Sequence, residues 1–312
     1  MLDRDLVAHQ KTLEQKISDQ GPPNQHVDPH LLGLAIVDLL ELNRLRDYKH
    51  SGFSAWYANP GTSAERVTER LTDLGPLYAS VSGAGFGNLT GDALEVVVFK
   101  ALDRIFRSNP RFAYQGYFHL DQPKTVHGRY QKTQPPKTIG NRTTAKEADF
   151  LQFGHSAGPL CIECKNYREW IYPHHHVISE LIIKAAELGA LPVLICRRFH
   201  YTTLRNFLEP AGIIAHQSLY QYYPKDQIEL ANRVKHARSL GFTDVTATEE
   251  PHPRTVQFFE QFMPSIVDRM AIRWNANKDE LLEYAQGQLN LAQVYTAIDS
   301  PVGGKWQDFD IV

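Results

Sequence analysis

The sequence predicts an α/β protein whose central part runs helix, three strands, helix, strand between helical N- and C-terminal regions. Three observations carry this expectation. Residues 93–106 and 177–188 place apolar side chains on most turns of a helix. Leu160–Lys165 and Leu191–Cys196 are apolar runs of strand length. Residues 112–120 alternate aromatics with small or polar residues, the period of a half-buried strand. Helical and extended periods alternating within one stretch specify a layered core of about domain size.

Residues 1–86 read as a mainly helical region. The run from His30 to Leu40 is rich in helix formers, and Thr62-Ser63-Ala64-Glu65 has the spacing of a capping box after the Asn59-Pro60-Gly61 turn. Such a pair is either a winged-helix-like reader or substrate-recognition unit, or simply two packed helices. Gly83, Gly85, Gly87 and Gly91 punctuate a stretch that reads as a flexible linker, so a central domain is expected over 87–222.

Within that domain Glu95 lies near the start of the first helix, and a Pro- and Lys-rich loop follows the strand at 112–120. Strands at 148–153 and 160–165 are joined by a hairpin at 154–158. The helix at 177–188 stops at Gly189, and Leu191–Cys196 tolerates Pro192 near its start. From 223 to 312 the period is helical again, at 254–274 and 279–296, with a loose end at Gly303-Gly304-Lys305.

Composition narrows the class. With 42% hydrophobic and 22% charged residues, the 312-residue chain has an ordinary globular mixture and length for two or three structural units. No apolar run reaches membrane-spanning length, and the polar start lacks a signal-peptide pattern. Three cysteines are too few for a disulfide framework, so the expected location is cytoplasmic. The net charge of −2 argues against a chain that clings to polyanions over its whole surface. It hides a local bias: Lys124, Arg129, Lys132, Lys137, Arg142 and Lys146 follow one another with no acid until Glu147.

The candidate chemistry lies where that basic loop ends. Side chains two residues apart on a strand share a face, so Glu163 and Lys165 point together and Cys164 points away. Asp149 is expected on the preceding strand. Hydrolysing a phosphodiester requires an activated water, neutralisation of the transition state and a stabilised leaving oxygen, all of which a hard divalent cation supplies. Mg²⁺ needs only one or two carboxylates as anchors.

Glu95, Asp149 and the Glu163-Cys164-Lys165 tripeptide, in this order of elements, resemble the PD-(D/E)XK nuclease superfamily over residues 87–220. The resemblance implies a restriction-endonuclease-like core and a Mg²⁺-dependent nuclease, with Mn²⁺ as substitute and DNA as the leading partner. It implies Asp149 and Glu163 as metal-binding acids, Lys165 as the lysine of the motif and Glu95 as the acid from the first core helix. In some members the carbonyl at the position of Cys164 adds a ligand. Ala148 stands where the motif's name has proline, a position commonly varied in the superfamily.

Neighbouring residues carry alternatives. Glu147 shares a face with Asp149 and is either a further ligand or a solvated acid. Lys184, with Glu180 and Glu187 nearby, reads as a plain solvent face or a phosphate contact. Cys161-x-x-Cys164 followed by His174-His175-His176 invites zinc, but cysteines three apart on a strand face opposite sides, so buried small hydrophobes are the default. The basic loop, with Tyr130 inside it and Arg197, Arg198 and Arg205 further on, either tracks a nucleic-acid backbone or is merely solvated. The leading expectation is a DNA endonuclease, with the C-terminal helices supporting the core or a homodimer. Its rivals are a non-catalytic nucleic-acid binder on the same scaffold and an RNA nuclease.

Overall fold

The computed structural model describes residues 2, 6–19, 27–50 and 53–298. They form two compact units, each built from two stretches of chain. The first joins residues up to 94 with Leu219–Glu249, and the second joins Glu95–Ser218 with residues from 250 on. The consecutive division at 86 and 222 therefore differs from what is found.

The first unit is not mainly helical. Val7–His9, Phe53–Ala58 and Arg46–His50 form an antiparallel sheet with Phe53–Ala58 in the middle. Trp56 and Ala58 face a core with Val67, Leu71 and Leu74, while Tyr57 and Ala8 face Leu13, Leu32 and Ile36. A strand covered on both faces shows no hydrophobic alternation, which is why the sequence period misses it. The helix Pro29–Glu41 is capped by Asp28, whose carboxylate accepts the His30 N–H at 2.6 Å. The Asn59-Pro60-Gly61 turn leaves a strand, and the β-hairpin separates Pro29–Glu41 from Ala64–Ser82, so the expected helix–turn–helix pair is absent. The latter helix is capped by Ser63.

The expected linker is helical too. Helix α1, Ala84–Ser108, begins one residue after Gly83, the single extended break. Each glycine costs such a helix roughly 1 kcal/mol relative to alanine, but 25 residues of cooperative hydrogen bonding and the Phe86 ring against Tyr223 outweigh that. Gln221–Tyr223 pairs in parallel with Val245–Ala247 across the helix Ile228–Lys235. Ala231, Val234 and Val245 thereby complete the Trp56 core.

The second unit is organised by a five-stranded sheet. Its strands are β1 (Tyr114–Gln115), β2 (Phe150–Gln152), β3 (Leu160–Lys165), β4 (Leu191–Cys196) and β5 (Ile214–Gln217), in the order β5-β4-β3-β2-β1. β1, β2 and β3 pair antiparallel, while β3, β4 and β5 run parallel. Helix α2, His176–Leu188, makes the crossover from β3 to β4 and ends at Gly189 in the left-handed region. β4 is buried along its whole length, as its continuous apolar run predicts. Helix α3, Met263–Ala285, packs against α2.

Three expectations shift in this unit. The strand at 112–120 splits at Gly116 (φ 104°), where an added Cβ would lie 2.4 Å from the Asp149 carbonyl oxygen. Phe118–His119 then pairs with Gln131–Lys132 outside the main sheet, and Thr138–Ile139 pairs with Arg142–Thr143, so the basic loop is folded into short hairpins. The helical periods at 254–274 and 279–296 belong to Pro253–Gln257, α3 and Leu291–Ile298, with α3 running through the expected gap. Gly303-Gly304-Lys305 lies outside the described residues. Among the described residues no helix is long and apolar enough to cross a membrane.

Gly212 (φ 79°) closes the turn before β5, and a Cβ there would meet the Trp274 amide nitrogen at 2.2 Å. Because that atom belongs to the backbone of α3, Gly212→Ala is expected to lose about 3 kcal/mol or more in urea denaturation. Gly140→Ala meets the same dihedral penalty (φ 59°) in open space and is expected to lose only about 1 kcal/mol.

Candidate active site

The site forms where β2 stops short of β3. Ile162 pairs with Phe150 at the first residue of β2, so Asp149 stands just before the strand and not on it. Its side chain takes over where the ladder ends: Oδ2 accepts the backbone N–H of Cys164 at 2.6 Å. Glu163 and Lys165 share a face as their spacing requires, with Lys165 Nζ 2.5 Å from Glu163 Oε1.

The other Glu163 oxygen is held from a second element. Lys184 Nζ on α2 donates to Oε2, also at 2.5 Å. Both side chains are buried, at 4% and 5% exposure. The solvent-face reading of Lys184 is thus overturned, and the residue is not a free surface contact for nucleic acid. The signal was in the spacing: Val177, Leu181, Lys184 and Leu188 make one buried helical stripe. A lysine on that stripe needs an acid, and the strand packed beneath it carries one.

Glu95 on α1 completes the cluster. Its Oε2 lies 2.9 Å from Nζ of Lys132, which also stands over the Phe118 ring. Burial pushes the Asp149 carboxyl well above the ordinary range, the negative charges of Glu163 and Glu95 push it further, and Lys165 with the Cys164 N–H offsets part of this. For Lys165 burial acts downward, but Asp149 and Glu163 outweigh it and hold the ammonium above its usual value. Three carboxylates and three ammoniums therefore balance within one cluster. Burial, then His176, lower the His175 imidazole, with Lys165 also contributing, and Tyr167 is among the groups that raise Lys165, so these two residues border the site.

The oxygen donors of Glu95, Asp149 and Glu163 suit a hard divalent cation in kind. The crowded negative charge that raises Asp149 is what such a cation would relieve, and the ammoniums of Lys165 and Lys184 stand in its place. Among the described residues no three His, Cys, Asp or Glu side chains are gathered closely enough to hold a metal ion. Glu163 would have to release a lysine to become a ligand. The Cys164 thiol is buried, and burial, then Asp149, Glu95 and Glu163, push it well above the ordinary thiol range. Any ligand from this residue would be its carbonyl.

The other candidates have structural roles. Cys161 and Cys196 are buried thiols raised by burial, and they pack as small hydrophobes. His175 caps α2, its Nδ1 accepting the Val177 N–H at 3.4 Å, and its ring stacks on His176. These arrangements replace the zinc reading. Glu147 is an exposed acid 3.7 Å from Lys137, not a member of the cluster. In the basic loop Lys146 pairs with Glu180 at 2.5 Å, Lys124 sits over the Tyr130 ring and Arg142 lies against Gly189. Arg129 closes a turn through its backbone N–H on Thr125. Arg197 is buried and donates to the Arg168 carbonyl.

The helix Pro29–Glu41 carries neither Lys nor Arg and exposes Leu31, Leu34, Val37 and Leu39. It lacks the cations with which a reading helix is anchored to phosphates. Compared with known proteins, the sequence matches no family model and no curated protein, and the fold matches no solved structure.

Removing one partner from a buried ion pair strands the other, so Lys184→Met is expected to cost about 3–5 kcal/mol in chemical denaturation. Lys165→Met should cost less, because its ammonium retains 21% exposure. Combining Lys184→Met with Glu163→Gln should lose clearly less than the sum of the two single changes.

The raised Asp149 pKa has a definite sign in stability. The folded protein binds this proton more tightly than the unfolded chain does. The associated stability is therefore complete below the unfolded pKa near 4 and is lost as pH rises through the folded value. Asp149→Asn should raise the melting temperature at pH 7.5 and show a shrinking gain as pH falls toward 4. A lower melting temperature at pH 7.5 would contradict the charge crowding.

Proposed function

We propose that this chain is a metal-dependent phosphodiesterase, and specifically a DNA endonuclease, built on a restriction-endonuclease-like core of the PD-(D/E)XK kind. The observation that carries the reading is the meeting of Glu163 and Lys165 on β3 with Asp149 from the edge of β2, within electrostatic reach of Glu95 on α1. Asp149, Glu163 and Glu95 would hold Mg²⁺, or Mn²⁺ in its place, only after Glu163 releases a lysine and the three carboxylates draw closer together. When bound, the ion supplies an activated water and neutralises charge on the scissile phosphate.

Each residue of the chain then has a separate task. Lys165 is held fully cationic, so it does not take a proton from water near neutral pH; it donates a hydrogen bond to the phosphate as negative charge develops. Lys184 fixes the rotamer of Glu163 from beneath, and the Cys164 N–H fixes Asp149. Lys137 and Lys146 on the basic loop are 39% and 59% exposed in their ion pairs. Pairs this exposed contribute about 0–1 kcal/mol, so a nucleic-acid backbone can exchange for their acids at little cost.

A second reading has its own observation. Both Glu163 oxygens are occupied by lysines, as befits a non-catalytic nucleic-acid binder on the same scaffold.

Incubation of plasmid, linear and single-stranded DNA, and of matched RNA, with the protein and Mg²⁺ or Mn²⁺ separates these readings. The expected result is metal-dependent cleavage of DNA, abolished by EDTA and reduced by about 10²-fold or more in Lys165→Ala. Binding without strand scission, equal in wild type and Lys165→Ala, would leave the scaffold reading. Preferential scission of RNA would change the substrate.

A further inference from the structure

A second site lies on the edge strand of the same sheet. β5, the helical segment from Leu204 to Glu209 and the segment from Arg254 to Met270 line a half-open cavity of about 380 Å³. It shares no lining residue with the acid–lysine cluster, whose strand β3 is two positions away. The volume falls near the lower end of ligand cavities, roughly 300–1,000 Å³. That volume suits a ligand of about mononucleotide size.

The lining has two characters. Phe258, Phe262 and Ile266 make an apolar wall, and Phe258 is held flat by stacking on His216, with ring centroids 4.4 Å apart. Phe262 remains 42% exposed at the lip. The lining also includes Arg205, Arg254 and Arg269, with one acid, Glu209. That carboxylate is already engaged by Arg205 at 3.2 Å and by Arg273 at 3.8 Å. Among its lining side chains the cavity thus counts three guanidiniums and one carboxylate, together with the aromatic rings.

The charge is felt inside the protein. Burial, then Arg254 and His252, push the His216 imidazole down to about 3, so it is neutral at physiological pH. Arg254 itself is lowered by burial and by the neighbouring Arg198. No acid is among the groups that shift either residue.

We infer that this cavity binds an aromatic phosphate monoester of mononucleotide size, its ring against Phe258 and Phe262 and its phosphate between Arg254 and Arg269. Planar guanidiniums suit phosphate oxygens, and the aromatic wall suits the face of a ring. The two halves of the ligand answer the two halves of the cavity, so neither half alone should bind well.

Isothermal titration calorimetry on the full chain tests this with adenosine 5′-monophosphate and phenyl phosphate as probes, and with adenosine and inorganic phosphate as the separate halves. Both probes should bind at least about tenfold more tightly than inorganic phosphate, and the nucleotide at least about tenfold more tightly than adenosine. Arg254→Gln should weaken both probes about tenfold while keeping the wild-type melting transition, which is measured alongside. Ser265→Trp, on an exposed lining residue, should block entry. Lys165→Ala should leave binding unchanged, which separates this site from the proposed nuclease centre. Inorganic phosphate binding as tightly as the probes would overturn the assignment. So would wild-type affinity in both Arg254→Gln and Ser265→Trp, or loss of binding in a Lys165→Ala protein that keeps the circular dichroism spectrum of the folded chain.

Discussion

The buried carboxylate of Glu163 is the constraint around which the second unit is arranged. A lone carboxylate at 3% exposure would be too costly to keep ionised, so two ammoniums are brought to it from different elements. Lys165 comes from the same strand and Lys184 from the crossover helix. Satisfying both oxygens fixes how α2 sits over β3, and so links the parallel half of the sheet to its covering layer. The pair is a specificity device more than a source of stability: an apolar replacement could pack as well, but it would not dictate one register of helix on strand.

The same arrangement sets the electrostatics of the site. With both oxygens of Glu163 held, its charge cannot rotate away from Asp149, which is itself pinned by the Cys164 N–H. Glu95 approaches from a third direction and keeps its own lysine. The cluster is therefore preorganised in position and balanced in charge. Burial, then Glu163 and Glu95, favour the protonated form of Asp149, while Asp149 and Glu163 hold Lys165 as an ammonium against its own burial.

How much of this is legible in the sequence depends on the range of the interactions. β3, β4 and α2 are legible nearly to the residue, because a strand buried on both faces and an amphipathic helix leave strong local patterns. The shared face of Glu163 and Lys165 follows from the period of two. The partnership of Lys184 does not follow from charge alone, since a lysine between two glutamates on a helix usually faces water. The bond from Cys164 to Asp149 depends on where β2 ends, and Gly116 decides that through a close backbone approach absent from any local period. In the first unit Phe53–Ala58 is hidden because residues on both its faces are buried, and Arg46–His50 because it is a largely exposed edge strand with no apolar alternation. The glycine-rich start of α1 mimics a linker because intrinsic propensity is weak beside tertiary packing.

The core of the first unit draws Trp56 and Leu71 from early in the chain and Ala231, Val234 and Val245 from far later. During synthesis the early half must wait with one apolar face uncovered while the whole intervening sheet is made. At ribosomal rates of about 5–20 residues per second the delay is on the order of ten to thirty seconds. The second unit waits longer still, because α3, which packs against α2, is made only after Val245. Each unit of this chain is therefore completed only when a late segment returns to an early one.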